Sequence, residues 1–309
     1  MSKRVLLFGA SGTIGQAVAL ELRKAGHECI CVVREDSQPP IQLSSYEKRF
    51  VNLSDPQLVL SNALKNEKFD VIISCIASRT GIPDDAWEVD YQCNSNILQA
   101  ARYITNLQFI LLSAICVQKP KLSFQKAKLA FEKKLVGSGV LFSIVRPTAF
   151  FKSLSGQIER VRNGKPFILL GNGEITRCKP VSDTDLAIYI TGCINKTERH
   201  NRILPIGGPG PAITPFDQAK ELFSLCGQKP RYVRIPISIL KLIIIIFRLA
   251  GSISKRAAQK SEYARIGLYY ATESMLVWDD KLNKYDEEAT PETGHETLFN
   301  FYAREIGKS

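Results

Sequence analysis

Histidine is scarce in this sequence, and its scarcity removes a good deal of chemistry. Only His27, His200 and His295 occur among 309 residues, and none is spaced with Cys or acidic residues as a metal cage requires. We expect no metal site. Cysteine is scattered rather than rare: eight residues, at 29, 31, 75, 93, 116, 178, 193 and 226, without one C-x-x-C. The close pair Cys29 and Cys31 falls in an apolar run that reads as a strand. This argues against a disulfide framework, a zinc site or an iron–sulfur cluster, and a reducing compartment is the expectation.

Long apolar runs are missing too. The longest, Leu242–Phe247 with neighbours from Ile235, is interrupted by Lys241 and Arg248, well short of the roughly 20 residues a spanning helix needs. No internal repeat or low-complexity segment is visible. The first strand begins within a few residues of Met1, so no signal or transit peptide is expected. Positive charge is what the chain has in excess: 41 Lys+Arg against 30 Asp+Glu, a net charge of +11. Such a surplus draws anionic partners, whether cofactor phosphates, acidic lipid or nucleic acid, without choosing among them.

The first two-thirds alternate short β-branched runs with helical stretches. Arg4–Phe8, Glu28–Val33, Lys48–Val51, Asp70–Ile76, Gln108–Leu112 and Leu141–Val145 read as buried strands. Between them Gly15–Ala25, Pro56–Lys65, Trp87–Tyr103 and Phe124–Gly137 carry helical apolar spacing. Continuous apolar strands alternating with helices imply an α/β fold with a doubly wound parallel sheet covered on both faces. After Pro147 the pattern loosens. Thr214–Cys226 reads as a helix capped by Thr214 with Pro215 in its first turn. We therefore expect a nucleotide-binding domain over residues 1–150 and a smaller substrate lobe over 151–309, some of whose elements return to the first.

Gly9-Ala-Ser-Gly12-Thr-Ile-Gly15 directly follows the first strand and opens a helix. Glycines there permit a tight turn and close backbone approach, and the helix N-terminus offers unpaired N–H groups to a pyrophosphate. Gly9, Ser11, Gly12, Thr13, Ile14 and Gly15 are the candidate contacts. The second strand ends at Arg34, where NAD-preferring sites usually have a carboxylate for the ribose 2′-hydroxyl. An arginine there suits a 2′-phosphate, which favours NADPH; the alternative gives the reading role to Glu35 or Asp36. Asn52, after the third strand, and Ala77 and Ser78, after the fourth, stand at carboxyl ends of strands, where ligands bind in such sheets.

The G-x-x-G-x-x-G spacing resembles that of the extended and atypical short-chain dehydrogenase/reductases. Those proteins usually carry Tyr-x-x-x-Lys on the helix after the fifth strand, the phenol protonating a carbonyl oxygen beside a ribose-binding lysine. Here the segment reads Phe124-Gln-Lys-Ala-Lys128. Without the phenol, reduction of an isolated carbonyl loses its acid. Hydride addition to a double bond conjugated with a large π-system does not need one at once, because the π-system spreads the negative charge. A site that only senses NADP(H) is the competing reading.

Longer strings make the likeness specific. Leu112-Ser-Ala-Ile-Cys-Val-Gln-Lys-Pro120, Ser143-Ile-Val-Arg-Pro-Thr-Ala-Phe-Phe-Lys-Ser-Leu154, Leu204-Pro-Ile-Gly-Gly-Pro-Gly210, Tyr269-Tyr-Ala-Thr-Glu-Ser-Met-Leu-Val-Trp278 and Ile76-Ala-Ser-Arg-Thr-Gly81 resemble the divinyl chlorophyllide 8-vinyl reductases of the NADPH-dependent kind. The likeness runs from the glycine loop to about Pro291. It implies reduction of the 8-vinyl group of divinyl chlorophyllide, or its protochlorophyllide precursor, to ethyl. Lys128 is expected on the nicotinamide ribose and Pro147 at the cofactor, while Ser113, at the end of the fifth strand, is a candidate catalytic polar partner or else makes a simple strand-end hydrogen bond. Nucleic acid is not an expected partner.

A flat, apolar chlorin calls for aromatic faces and a cation or two. Phe124, Phe150, Phe151, Tyr269 and Tyr270 are the candidates, with Lys152 or Arg79 for the carboxylate. An axial histidine on the chlorin magnesium has no residue to recommend it, and His27 reads as surface. Residues 235–256 combine an apolar face with Lys241, Arg248 and Lys255 at intervals of seven. Such a helix either lies on an anionic membrane or packs against the substrate lobe. With no transit peptide expected, the reading points to the cytoplasm of a bacterial phototroph, with peripheral attachment to the photosynthetic membrane. A non-catalytic NADP(H)-binding regulator or assembly factor, and a reductase of other conjugated double bonds, stand as the alternatives.

Overall fold

The computed structural model describes residues 1–251 and 254–307. In chain order the strands are β1 (Arg4–Phe8), β2 (Glu28–Arg34), β3 (Glu47–Val51), β4 (Val71–Ser74), β5 (Gln108–Leu112), β6 (Leu141–Pro147), β7 (Phe167–Leu170), β8 (Arg202–Ile206), β9 (Tyr232–Ile235), β10 (Val277–Asp279) and β11 (Lys284–Asp286). The chain forms two compact units. Met1–Pro147 and Asp183–Leu204 make the first; Thr148–Ser182 and the chain from Pro205 onward make the second.

The first unit is built on a seven-stranded sheet of order β3-β2-β1-β4-β5-β6-β8. The pairings from β3 through β6 are all parallel. This is the doubly wound arrangement that the apolar strands imply. Leu6, Phe8, Ile72, Phe109, Phe131 and Ile144 lie at the heart of one of its cores, fully buried. The helix Asp183–Gly192 returns to pack on the Thr13–Lys24 helix, and Gln108 Nε2 donates to the Cys193 carbonyl at 2.8 Å.

Two helices differ in detail from the expectation. The segment that opens at Pro56 widens into π turns over Val59–Leu64, and the one from Pro83 does so over Ala86–Cys93. β4 is shorter than expected, ending at Ser74, although the Cys75 N–H still donates to the Phe8 carbonyl at 3.0 Å. His27 is buried, not superficial: its Nδ1 accepts the Lys3 backbone N–H at 3.1 Å.

In the second unit β7 pairs with β9 and β10 with β11. Thr214 caps the Pro215–Leu225 helix as its sequence implies, accepting from the Asp217 N–H while Asp217 accepts from the Thr214 N–H. The stretch read as one helix over 235–256 is helical over Ile237–Gly251, with none of its residues buried. Positions 252–253 lie outside the described residues, and Lys255 opens the next helix rather than continuing the stripe of Lys241 and Arg248. The Ile237–Gly251 helix packs on the Lys255–Thr272 helix, Ser261 donating to the Ile244 carbonyl at 3.4 Å and Lys260 standing over the Phe247 ring. Its outer face leaves Leu242, Ile245, Ile246 and Leu249 exposed.

Candidate active site

The glycine loop follows from what its backbone has to do. Gly9 sits at φ +75°, a left-handed conformation costly for any side chain, and a Cβ there would stand 2.8 Å from the Cys75 carbonyl carbon. Gly12 donates its N–H to the Gly9 carbonyl at 3.1 Å. It precedes the Thr13–Lys24 helix with no side-chain cap and no acidic residue in the first turn. Gln16 ties the Ser11 carbonyl from below at 2.9 Å. The result is an uncapped helix N-terminus, free of carboxylates, under a loop with no room for side chains. That cradle fits a dinucleotide pyrophosphate.

Arg34 is exposed at the tip of β2, and among the described residues its guanidinium makes no ion pair. Its carbonyl accepts from Ser37 N and Oγ, at 3.0 and 2.7 Å, closing the turn that carries Glu35 and Asp36. Asn52 is exposed, its Oδ1 accepting from Ser54 N at 3.0 Å. Asp55 caps the next helix by accepting from Gln57 N.

At the end of β4 the chain gathers charge. Ala77 is exposed, while Ser78 donates its hydroxyl to Asp90 Oδ2 at 2.6 Å and its N–H to Oδ1 at 3.3 Å. Lys128 Nζ meets Asp90 Oδ1 at 2.8 Å; the carboxylate is fully buried and the lysine side chain 12% exposed. Two of the residues read from sequence, Ser78 and Lys128, are thus joined through a third. Phe124 lies half-buried four residues before Lys128, which puts both on one helix face.

Ser113 has a different partner. Its hydroxyl donates to the buried Glu132 carboxylate, which Arg146 also holds, its Nε at 3.2 Å from both oxygens. The Ser113 N–H donates to the Val145 carbonyl at 2.8 Å. Ser113 is therefore a buried brace between β5, β6 and the Ser123–Val136 helix. Pro147 is buried at the end of β6.

The aromatic group splits. Phe151 is buried in the core of the second unit with Val161, Leu169 and Phe223, its ring 5.5 Å from that of Phe301. Its ring packs within that core. Tyr269 is likewise buried, its ring set edge-on to Tyr270 at 5.6 Å. Phe150 is half-buried, bridging Val181 through its backbone, and Tyr270 is 42% exposed. Those two keep aromatic surface to present.

With this geometry in hand, comparison with known proteins is informative. Residues 9–196 match a family model described as NAD(P)H-binding. The divinyl chlorophyllide a 8-vinyl-reductase of Arabidopsis thaliana chloroplasts is 41% identical over 98% of this chain and 76% of its own length. The chain belongs to the divinyl chlorophyllide a 8-vinyl-reductase family. A photosystem II assembly factor of Cyanophora paradoxa is more distant, 25% identical over 77% of this chain and 73% of its own. The NADPH-dependent quinone oxidoreductase of Escherichia coli, solved with NADPH, shares the fold with a TM-score of 0.67 at 15% identity, covering 98% of this chain and 99% of its own.

The NAD(P)H-binding match and the family together give the chain a nicotinamide cofactor and a fold of Rossmann type. Sequence reasoning missed Asp90 and Glu132. An acidic residue inside a polar helical stretch reads as a solvated face, and no spacing rule links position 90 to 128. The only available signal was negative: the missing phenol leaves Lys128 without its usual neighbour. Among the described residues no cluster of His, Cys, Asp and Glu could hold a metal, and no helix is long and apolar enough to cross a membrane.

Proposed function

We propose that this chain reduces the 8-vinyl group of divinyl chlorophyllide, or of the corresponding protochlorophyllide, to ethyl at the expense of NADPH. The observation that carries the reading is Phe124 beside an anchored Lys128, within a family-wide likeness of 41%. The bound dinucleotide supplies a hydride. The glycine loop and the helix N-terminus hold its phosphates, and Arg34 meets the 2′-phosphate that distinguishes NADPH. Lys128 directs its ammonium to the ribose. Phe124 presents an apolar ring where related reductases place an acid. Hydride added at the vinyl terminus leaves negative charge on the adjoining carbon, which the macrocycle spreads, and a proton from water or a weak acid taken up there completes the ethyl group. Phe150 and Tyr270 offer the pigment aromatic surface.

Purified protein incubated with NADPH and divinyl chlorophyllide, followed by pigment chromatography, tests this. We expect the monovinyl product, lost when NADPH is omitted. A protein that binds NADPH yet converts neither the chlorophyllide nor its precursor would favour the second reading, a non-catalytic assembly role. The 25% likeness to an assembly factor recommends that role, and a reductase of other conjugated double bonds would be sought with other substrates.

The Ile237–Gly251 helix supports a location. Leu242, Ile245, Ile246 and Leu249 recur at helical spacing on an exposed face, flanked by exposed Lys241, Arg248, Lys255 and Arg256. That combination suits an anionic bilayer surface, the apolar row entering the headgroup region and the cations meeting lipid phosphates. The protein is thereby read as peripheral on an anionic membrane. We expect flotation with anionic liposomes, reduced by high salt and abolished by Leu242→Asp with Ile246→Asp; flotation of that variant equal to wild type would remove the assignment.

A further inference from the structure

Asp90 makes three hydrogen bonds with its carboxylate, to Ser78 N at 3.3 Å, Ser78 Oγ at 2.6 Å and Lys128 Nζ at 2.8 Å. Its backbone is anchored as well: Asn94 Nδ2 donates to the Asp90 carbonyl at 3.1 Å, and Ser74, at the end of β4, donates to Asn94 Oδ1 at 2.6 Å. The residue sits in the Ala86–Cys93 π turn, a widened geometry that recurs where a side chain must be re-aimed. One buried carboxylate thus bridges the segment after β4 to the helix bearing Lys128.

We infer that Asp90 is the positioning residue of the nicotinamide half of the site, setting the Lys128 ammonium before cofactor arrives. This rests on the NADPH reading above. A buried ion pair is poor value as a stability device, because apolar replacements are commonly tolerated. Ser78, which the same carboxylate holds, follows the carboxyl end of the central parallel strand β4, where ligands bind in such sheets. Phe124 sharpens the point. A phenol four residues before Lys128 would share the ammonium, and phenylalanine cannot. A lysine has three ammonium donors and a long, flexible stem. Asp90 occupies one donor and suppresses the stem's freedom, leaving two donors for ribose hydroxyls.

Calorimetric titration of NADPH onto wild type, Asp90→Asn, Lys128→Met and the double variant tests the inference. We expect Asp90→Asn to weaken NADPH about tenfold, as loss of a charged hydrogen bond does. KM for NADPH should rise with it, and KM for the pigment far less. In the Lys128→Met background the same change should cost no more than about twofold, the limit expected when one residue acts through the other. Additive losses would overturn the inference, since a residue that only supports the fold weakens binding whatever stands at 128. Should Asp90→Asn fail to fold, the uncharged double variant compared with Lys128→Met carries the decision. Failure of wild type itself to bind NADPH would strike the proposed function instead.

Discussion

A Cβ on Gly15 would stand 2.1 Å from the carbonyl oxygen of Gly9 and 2.9 Å from the Cα of Ala10. No real Cβ contact is that short with backbone, so the helix can lie against the loop only because position 15 has no side chain. The phosphate cradle and the packing of the first helix are one constraint. Gly15→Ala has to push the helix away from the loop. We expect a loss of about 2 kcal/mol of stability, typical of overpacking, and an NADPH affinity at least about tenfold weaker. Thermal melting with NADPH titration reads both; a variant binding as well as wild type would mean the pyrophosphate lies elsewhere.

On the proposed function, Arg34 is the residue that chooses between the two nicotinamide cofactors. It is exposed at the tip of β2 and its guanidinium has no ion-pair partner among the described residues. Removing a charged hydrogen bond to a 2′-phosphate costs roughly 1.5–3 kcal/mol. Arg34→Ala should therefore raise KM for NADPH by about tenfold or more while leaving KM for NADH nearly unchanged. Steady-state kinetics with both cofactors decide it. An equal loss with NADH would assign the discrimination to Glu35 or Asp36.

Ser113 is expected to matter for stability rather than turnover. Its hydroxyl serves a Glu132 carboxylate that is buried and shared with Arg146. Ser113→Ala removes one donor from that carboxylate and leaves the arginine in place. The expected cost is about 1–3 kcal/mol of unfolding free energy, with kcat changed by no more than about twofold. Chemical denaturation beside the pigment assay separates the two effects, and a collapse of kcat at unchanged stability would return Ser113 to the reaction.

Much of the fold was legible because the first unit is locally consistent. The runs at Arg4–Phe8 and Gln108–Leu112 are too apolar and β-branched to be anything but buried strands, and Thr214-Pro215 announces a capped helix. The glycine loop was legible for the same reason, since only glycine meets its steric demands. Charge partnerships were not legible. Asp90 reaches Lys128 across 38 positions of chain, and Glu132 is shared by Ser113 and Arg146 from two strands; neither pairing has a local signature. The burial of Phe151 was not legible either, because aromatic residues following a strand serve core and ligand equally well.

His27 supplies a dependence on acid that needs no ligand. Burial chiefly lowers its pKa from the ordinary 6.5, with the N-terminal amine and Lys3 adding to the effect and Asp70 opposing it. Its Nδ1 accepts the Lys3 N–H, a bond that survives only while that nitrogen is unprotonated. The folded imidazole thus takes up its proton at lower pH than the unfolded one. Between the two pKa values the unfolded chain binds more protons, so stability falls as pH drops through that window. Above pH 6.5 this contribution is constant, and below the folded pKa it levels off. His27→Gln, whose carbonyl oxygen can accept from the same N–H, should flatten that part of the stability profile. Urea unfolding from pH 8 to pH 5 for both proteins is the check. Parallel profiles would show that another group drives the acid sensitivity.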